Sequence, residues 1–204
     1  MTTWLTTVGI MLNIVGFGWQ CWVICYYRTA QGISFPALFS AFTSSLITVL
    51  YSSVYGDASF LGNAWVCVLA QGFMLVPVFH WNRPTRTELM PCYGLSALVI
   101  ATIFVPQKGA MLIAGSILGG LLLWHQPAKL ILSGKKGVVQ LFSLLCAELS
   151  SACWAAYCFE QIPATCSHFP YLGCKYAEAM WLYAGFCVFQ IFTIWTYRKA
   201  NGKH

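Results

Sequence analysis

Glu148 asks more of its surroundings than any other residue in this chain. It stands in the middle of the apolar run 138–159, where an ionisable side chain costs roughly 2.5–3.5 kcal/mol to insert, by analogy with Asp. Such a residue needs a partner, a water-filled cavity or a protonated carboxyl. Facing a pore, it would bind and release a proton as its exposure alternates; facing a neighbouring helix, it would stay protonated and hydrogen-bonded. Ser151, Trp154 and Tyr157 follow at i+3, i+6 and i+9 in "SACWAAY" and beyond Glu148. Glu148, Ser151 and Tyr157 are taken together as a polar stripe with Trp154 at its margin, and a stripe of this kind belongs against a cavity.

His125 is the second candidate for proton coupling, because an unperturbed imidazole titrates near neutral pH; the plainer reading is an interfacial His bonded at a helix end. His80 and His168 read as interfacial. Pro77 and Pro127 each remove a backbone hydrogen bond inside an apolar run and make either a hinge or a static kink. No HExxH, no GxSxG and no paired carboxylates occur, which argues against an enzyme. No CxxC or Cys/His spacing suits a metal, and nothing calls for a cofactor.

The elements that must position these side chains are membrane spans. Of 204 residues 59% are hydrophobic and 8% charged, and a mean hydropathy of +0.69 lies far outside the range of a soluble domain. Apolar runs long enough to cross about 30 Å of hydrocarbon must be helical, since each backbone N–H and C=O needs an internal partner. Seven are expected, over 4–27, 34–55, 61–81, 89–105, 110–132, 138–159 and 174–197, all in one membrane domain with a short tail over 198–204. The first lacks the basic start of a signal peptide and is too long for one.

With the N-terminus outside, the cytoplasmic side holds Arg28, Arg83, Arg86, Lys129, Lys135, Lys136, Arg198, Lys199 and Lys203, and the other side only Lys108 and Lys175. That asymmetry sets the expected orientation, and the net charge of +6 then reports topology and weak affinity for anionic lipid. No basic patch interleaved with aromatics suggests nucleic acid. Most of the ten cysteines lie within spans, where Cys behaves as a small apolar residue. Cys166 and Cys174 flank the loop "CSHFPYLGC" and are either bonded, on an oxidising side, or two free thiols.

An internal repeat organises the spans. A shift of 105 residues lays Trp19 to Phe35 on Trp124 to Gln140, pairing Trp19 with Trp124 and Gly32 with Gly137; with small slips, Ser44, Ser45 and Tyr51 meet Ser150, Ser151 and Tyr157, and Trp65 meets Trp181. Repeat one is expected over 4–81 and repeat two over 110–197, with 89–105 as a single linking span. This 3+1+3 plan gives two parallel three-helix units, and a solute site lies near the midplane where such units meet. Gly115 and Gly119 have small-xxx-small spacing, suited to close packing within the bundle or across a homo-oligomer face.

The turn "RTAQGIS" resembles the PQ-loop signature of the SWEET sugar transporters and cystinosin-like carriers. In that family a Pro-Gln pair ends a helix, and a turn closing in Gly, an apolar residue and Ser follows about a dozen residues after the Gln. Gln20 stands twelve residues before Gly32, and Ile33 and Ser34 complete the turn. Trp19 replaces the Pro, and the second repeat has Trp124 and His125 in place of the pair, with Gln126 and Pro127 after them. The resemblance implies a gating role for Gln20, beside the hinges that Pro77 and Pro127 offer by their kinks, a solute pocket touched by Ser151 and Trp154 with Tyr157 beside them, and a solute contact at Asn63. The counterpart of Asn63 in the seventh span falls near Glu178 and Ala179, so a paired Asn is not reproduced.

Together these features lead to the expectation of an alternating-access carrier for a small polar solute, a sugar in preference. A proton-coupled carrier of an amino acid or related metabolite, working through Glu148, is the alternative within that class. A seven-helix sorting receptor is the competing class, and it needs charges inside the bundle to grip a peptide carboxylate.

Overall fold

The computed structural model describes residues 2–55, 57–106, 108–133, 137–165 and 175–201. Among them every regular element is a helix: α1 (Thr2–Tyr27), α2 (Phe35–Tyr55), α3 (Ala58–Asn82), α4 (Arg86–Phe104), α5 (Lys108–Leu123), α6 (His125–Ser133), α7 (Leu141–Thr165) and α8 (Lys175–Asn201). They make seven apolar stretches of membrane-crossing length, as the hydropathy pattern requires. Cys166, Cys174, His168, Lys135, Lys136 and Lys203 lie outside the described residues.

The fifth span departs from the expected single helix. It breaks at Trp124 into α5 and α6, and Pro127 accounts for the place. In a continuous helix Pro127 would owe a hydrogen bond to the Leu123 carbonyl and its ring would strike that carbonyl. The chain instead ends α5 at Leu123 and restarts at His125, which makes Pro127 the third residue of a new helix, where a missing N–H costs nothing. Ala128 resumes the backbone ladder by donating to the Trp124 carbonyl at 3.2 Å. Pro127 is therefore a helix-start residue, whereas α3 runs through Pro77 unbroken. Lys129 sits on α6.

Around the bundle, α1 packs on α3, α3 on α2, α2 on α5, α5 and α6 on α8, α8 on α7, and α7 back on α1, while α4 lies against α2 and α5. Glycines set two of these seams. A Cβ on Gly9 would lie 2.8 Å from Trp154 Nε1, and one on Gly16 2.7 Å from Cys146 Cβ, where α1 meets α7. Where α5 meets α2, a Cβ on Gly119 would lie 2.7 Å from Ser44 Oγ and one on Gly115 2.6 Å from Ile47 Cδ1. Gly115 and Gly119 thus pack inside the bundle. Serine hydroxyls fasten the same seams: Ser150 donates to the Gly9 carbonyl at 2.9 Å and Ser40 to the Gly119 carbonyl at 2.7 Å.

Two apolar layers cross the bundle. One includes Ile24, Ile33, Val78, Leu130 and Val138, at the end carrying Arg28, Arg83 and Arg86. The other, built on Phe60, Trp154, Tyr157 and Tyr176, lies at the end carrying Asp57 and Glu178. These are called below the basic end and the acidic end.

Candidate functional site

At the basic end two glutamines hold two turns. Gln20, on α1, donates from Nε2 to the Val138 carbonyl at 2.9 Å and accepts the Gln140 N–H on Oε1 at 3.1 Å. Gln126, on α6, donates to the Gly32 carbonyl at 2.8 Å and accepts the Ser34 N–H at 2.7 Å. Gln126, Val138 and Gln140 each stand 106 positions after Gln20, Gly32 and Ser34. Each amide therefore satisfies, across the bundle, one C=O and one N–H that a turn leaves unpaired.

The sequence sets His125 against Gln20, but it is Gln126 whose bonds to the turn match those of Gln20. His125 is exposed and its Nδ1 lies 2.8 Å from Ser34 Oγ. The turns also touch one another, since Val138 N–H donates to the Gln31 carbonyl at 2.9 Å. Gly32 and Gly137 supply the left-handed conformations there, at φ +87° and +55°.

At the acidic end tyrosines meet carboxylates. Tyr51, on α2, donates to Glu178 Oε2 in the first turn of α8 at 3.1 Å. Tyr157, on α7 and 106 positions after Tyr51, donates to Asp57 Oδ2 at 3.4 Å, and Tyr176 donates to the same oxygen at 2.7 Å. Asp57 Oδ1 meanwhile caps α3, accepting the N–H groups of Ser59 and Phe60 at 3.0 and 3.1 Å. Beneath lie the packed rings of Phe60, Trp154 and Tyr183, with centroids 5.3 to 6.3 Å apart.

Between the closures is a cavity of about 160 Å³. One wall is polar: Asn13 Nδ2 donates to Asn63 Oδ1 at 2.9 Å, Asn63 Nδ2 lies 3.5 Å from the Tyr183 hydroxyl, and Ser45 Oγ lies 3.0 Å from Gln71 Oε1. Ser150 and Ser151 extend it. α8 contributes Tyr183 and Gln190 together with Leu182, Phe186 and Phe189, and α5 contributes Leu123. Among the described residues, none that lines the cavity is a Lys, Arg, His, Asp or Glu. Such a chamber can hydrogen-bond an uncharged solute and pack against its apolar parts.

The structure divides the residues picked out from sequence. Asn63 and Ser151 line the cavity; Trp154, 1% exposed, and Tyr157 form its acidic-end lid instead. Asn63 faces Tyr183, and not the region of Glu178 and Ala179. Glu148 is half-buried and absent from the cavity lining: it turns to α8 beside Cys187 and keeps its buried Oε2 without a partner. The expected polar face of the sixth span thus splits between the cavity, the lid and the seam between α7 and α8. Pro77 lies away from the cavity lining.

Sequence reasoning missed Asn13, Gln71 and Gln190, which all line the cavity. Each is a lone amide inside an apolar helix, a signal of the same kind that singled out Glu148. Compared with known proteins, the chain matches no family model, no curated protein and no solved structure. Fold and site define a multi-pass helical membrane protein with a cavity among its helices lined by uncharged polar and apolar side chains.

Proposed function

We propose that the protein is a carrier that moves a small uncharged polar solute by alternating access between two parallel three-helix repeats. In this reading α1, α2 and α3 form one repeat, α5–α6, α7 and α8 the other, and α4 is the linking span. Its principal support is the reciprocity of the closures. Gln20 and Gln126 exchange turns at the basic end, Tyr51 and Tyr157 exchange carboxylates at the acidic end, and each pair is 106 residues apart. Two units that each hold the other's gate give a bundle that opens at one end by releasing one set of bonds while keeping the other. The first, third and second helices are neighbours in that order within each unit, in keeping with this symmetry.

The likeness to PQ-loop and SWEET carriers supports the same reading, with Gln20, Gly32, Ile33 and Ser34 as its best-matched residues. The basic end faces the cytoplasm by the distribution of Lys and Arg. Amides and hydroxyls without a formal charge in the cavity favour a sugar-like solute over a zwitterion, which would bury two charges with no counter-charge. A proton-coupled carrier remains the second reading because Glu148 Oε2 is buried and unpartnered.

Uptake of radiolabelled D-glucose and a panel of amino acids into liposomes, with and without a pH gradient, tests both. Gradient-independent glucose flux, unchanged by Glu148→Gln, is the expected outcome. Gradient-driven amino acid flux abolished by Glu148→Gln establishes the second reading, and binding without flux points to a receptor.

A further inference from the structure

Among the described residues, five buried side-chain polar atoms have no hydrogen-bond partner: Ser52 Oγ, Ser143 Oγ, Glu148 Oε2, Trp154 Nε1 and Gln190 Oε1. Of these residues only Gln190 lines the cavity. A buried acceptor left empty loses its hydration without return, so its presence needs a reason. A carboxylate such as Glu148 can be neutralised by a proton. An amide has no such way out, and the carbonyl oxygen of Gln190 is satisfied only by a donor brought to it.

Two other amides of the cavity show the contrast. Asn63 Oδ1 accepts from Asn13 Nδ2 at 2.9 Å, and Gln71 Oε1 accepts from Ser45 Oγ at 3.0 Å. Both oxygens are engaged within the protein, and that of Gln190 is not. Gln190 stands seven residues along α8 from Tyr183, whose hydroxyl lies 3.5 Å from Asn63 Nδ2. It is therefore about two helical turns, or roughly 10 Å, nearer the basic end than the Asn13–Asn63 pair. The last torsion of a glutamine is broad, so its oxygen can turn toward a bound molecule without any movement of α8. We infer that Gln190 is a specificity-determining residue of the cavity: its Oε1 accepts a hydroxyl hydrogen from the transported solute, which is a neutral, hydroxyl-bearing molecule. Folding has already stripped this oxygen of water, so the bond to the solute is gained nearly in full, and a solute without a donor here leaves the acceptor empty and is disfavoured.

The inference deepens the carrier reading and rests on it for the word transported, so binding and flux are measured separately. Thermal unfolding of full-length protein in detergent, alone and titrated with D-glucose, reads both consequences of the empty acceptor. Gln190→Met keeps the length of the side chain and removes the amide. Without sugar its melting temperature stays the same or rises, since no bond within the protein is lost, while D-glucose binds roughly tenfold or more weakly. Gln190→Leu repeats the result. Gln71→Met, which loses the bond from Ser45, lowers the melting temperature instead. A fall in Gln190→Met as large as that in Gln71→Met means that Oε1 serves the fold, and overturns the inference. So does D-glucose affinity unchanged by Gln190→Met, or absence of D-glucose binding by the unmodified protein. In liposomes, D-glucose binding that Gln190→Met weakens, with no flux through the unmodified protein, removes the carrier reading and keeps the Gln190 contact; D-glucose flux that is equal in the unmodified protein and Gln190→Met does the reverse.

Discussion

Asp57 carries two tasks on two oxygens: Oδ1 caps α3 and Oδ2 receives Tyr157 and Tyr176 from the opposite half of the bundle. The tasks separate by substitution, because an asparagine oxygen caps a helix about as well as a carboxylate does, while alanine caps not at all. Asp57→Ala is expected to lower stability by about 1–3 kcal/mol in thermal unfolding of the purified protein, and Asp57→Asn by less than half as much. Equal losses would assign the effect to the tyrosine bonds in place of the cap. Residues at this scale were legible in sequence where they break a local rule, as Glu148 does by being charged in an apolar run. The direction such a residue faces was not legible, because Ala147 and Ser150 line the cavity while Glu148, between them in sequence, turns to α8. Asp57 could be read locally only as a helix cap, since the tyrosines it holds are 100 and 119 residues away.

Among the elements, the turns and helix crossings carry the sharpest constraints. Gln20→Leu and Gln126→Leu each strand one carbonyl and one N–H of a part-buried turn, at about 1–3 kcal/mol each. Because the two turns touch through Val138 and Gln31, a double-mutant cycle in denaturant is expected to return a coupling above about 0.5 kcal/mol, where additivity would mean the turns act independently. Gly137→Ala goes further: its Cβ would overlap the Gln31 carbonyl at a φ that alanine avoids, so loss of folded protein in size-exclusion profiles is expected. Along α1, Gly16→Leu drives a side chain into Cys146, whereas Gly18 faces open space. The first should abolish folding and the second leave the melting temperature unchanged. Hydropathy placed the seven spans because length and composition set them. It did not show the break at Trp124, since a proline kinks, hinges or starts a helix according to what its i−4 carbonyl can find, and that depends on the turn packed beside it.

For the whole molecule, hydrogen-bonded clusters flank the cavity at the basic and acidic ends, and the carrier reading takes these clusters as its two gates. The match of Trp19 with Trp124 in the sequence set His125 against Gln20, whereas the bonds to the two turns set Gln126 against Gln20, because a glutamine's value there lies in hydrogen bonds to a turn far along the chain. The carrier reading makes a directional claim that a channel or a receptor does not share. Cys67 lines the cavity and reports access to it when its labelling is scored against a Cys67→Ser control. Removing the carboxylates at one end, in Asp57→Asn with Glu178→Gln, should speed labelling of Cys67 by an impermeant thiol reagent added on the acidic-end side of the liposome and leave the other side slow. Removing the amide clamps, in Gln20→Leu with Gln126→Leu, should do the opposite. A channel would label from both sides in either variant, and a receptor core that never opens would label from neither. Because one set of bonds must break while the other holds, access from one side at a time is the behaviour that reciprocal closure predicts.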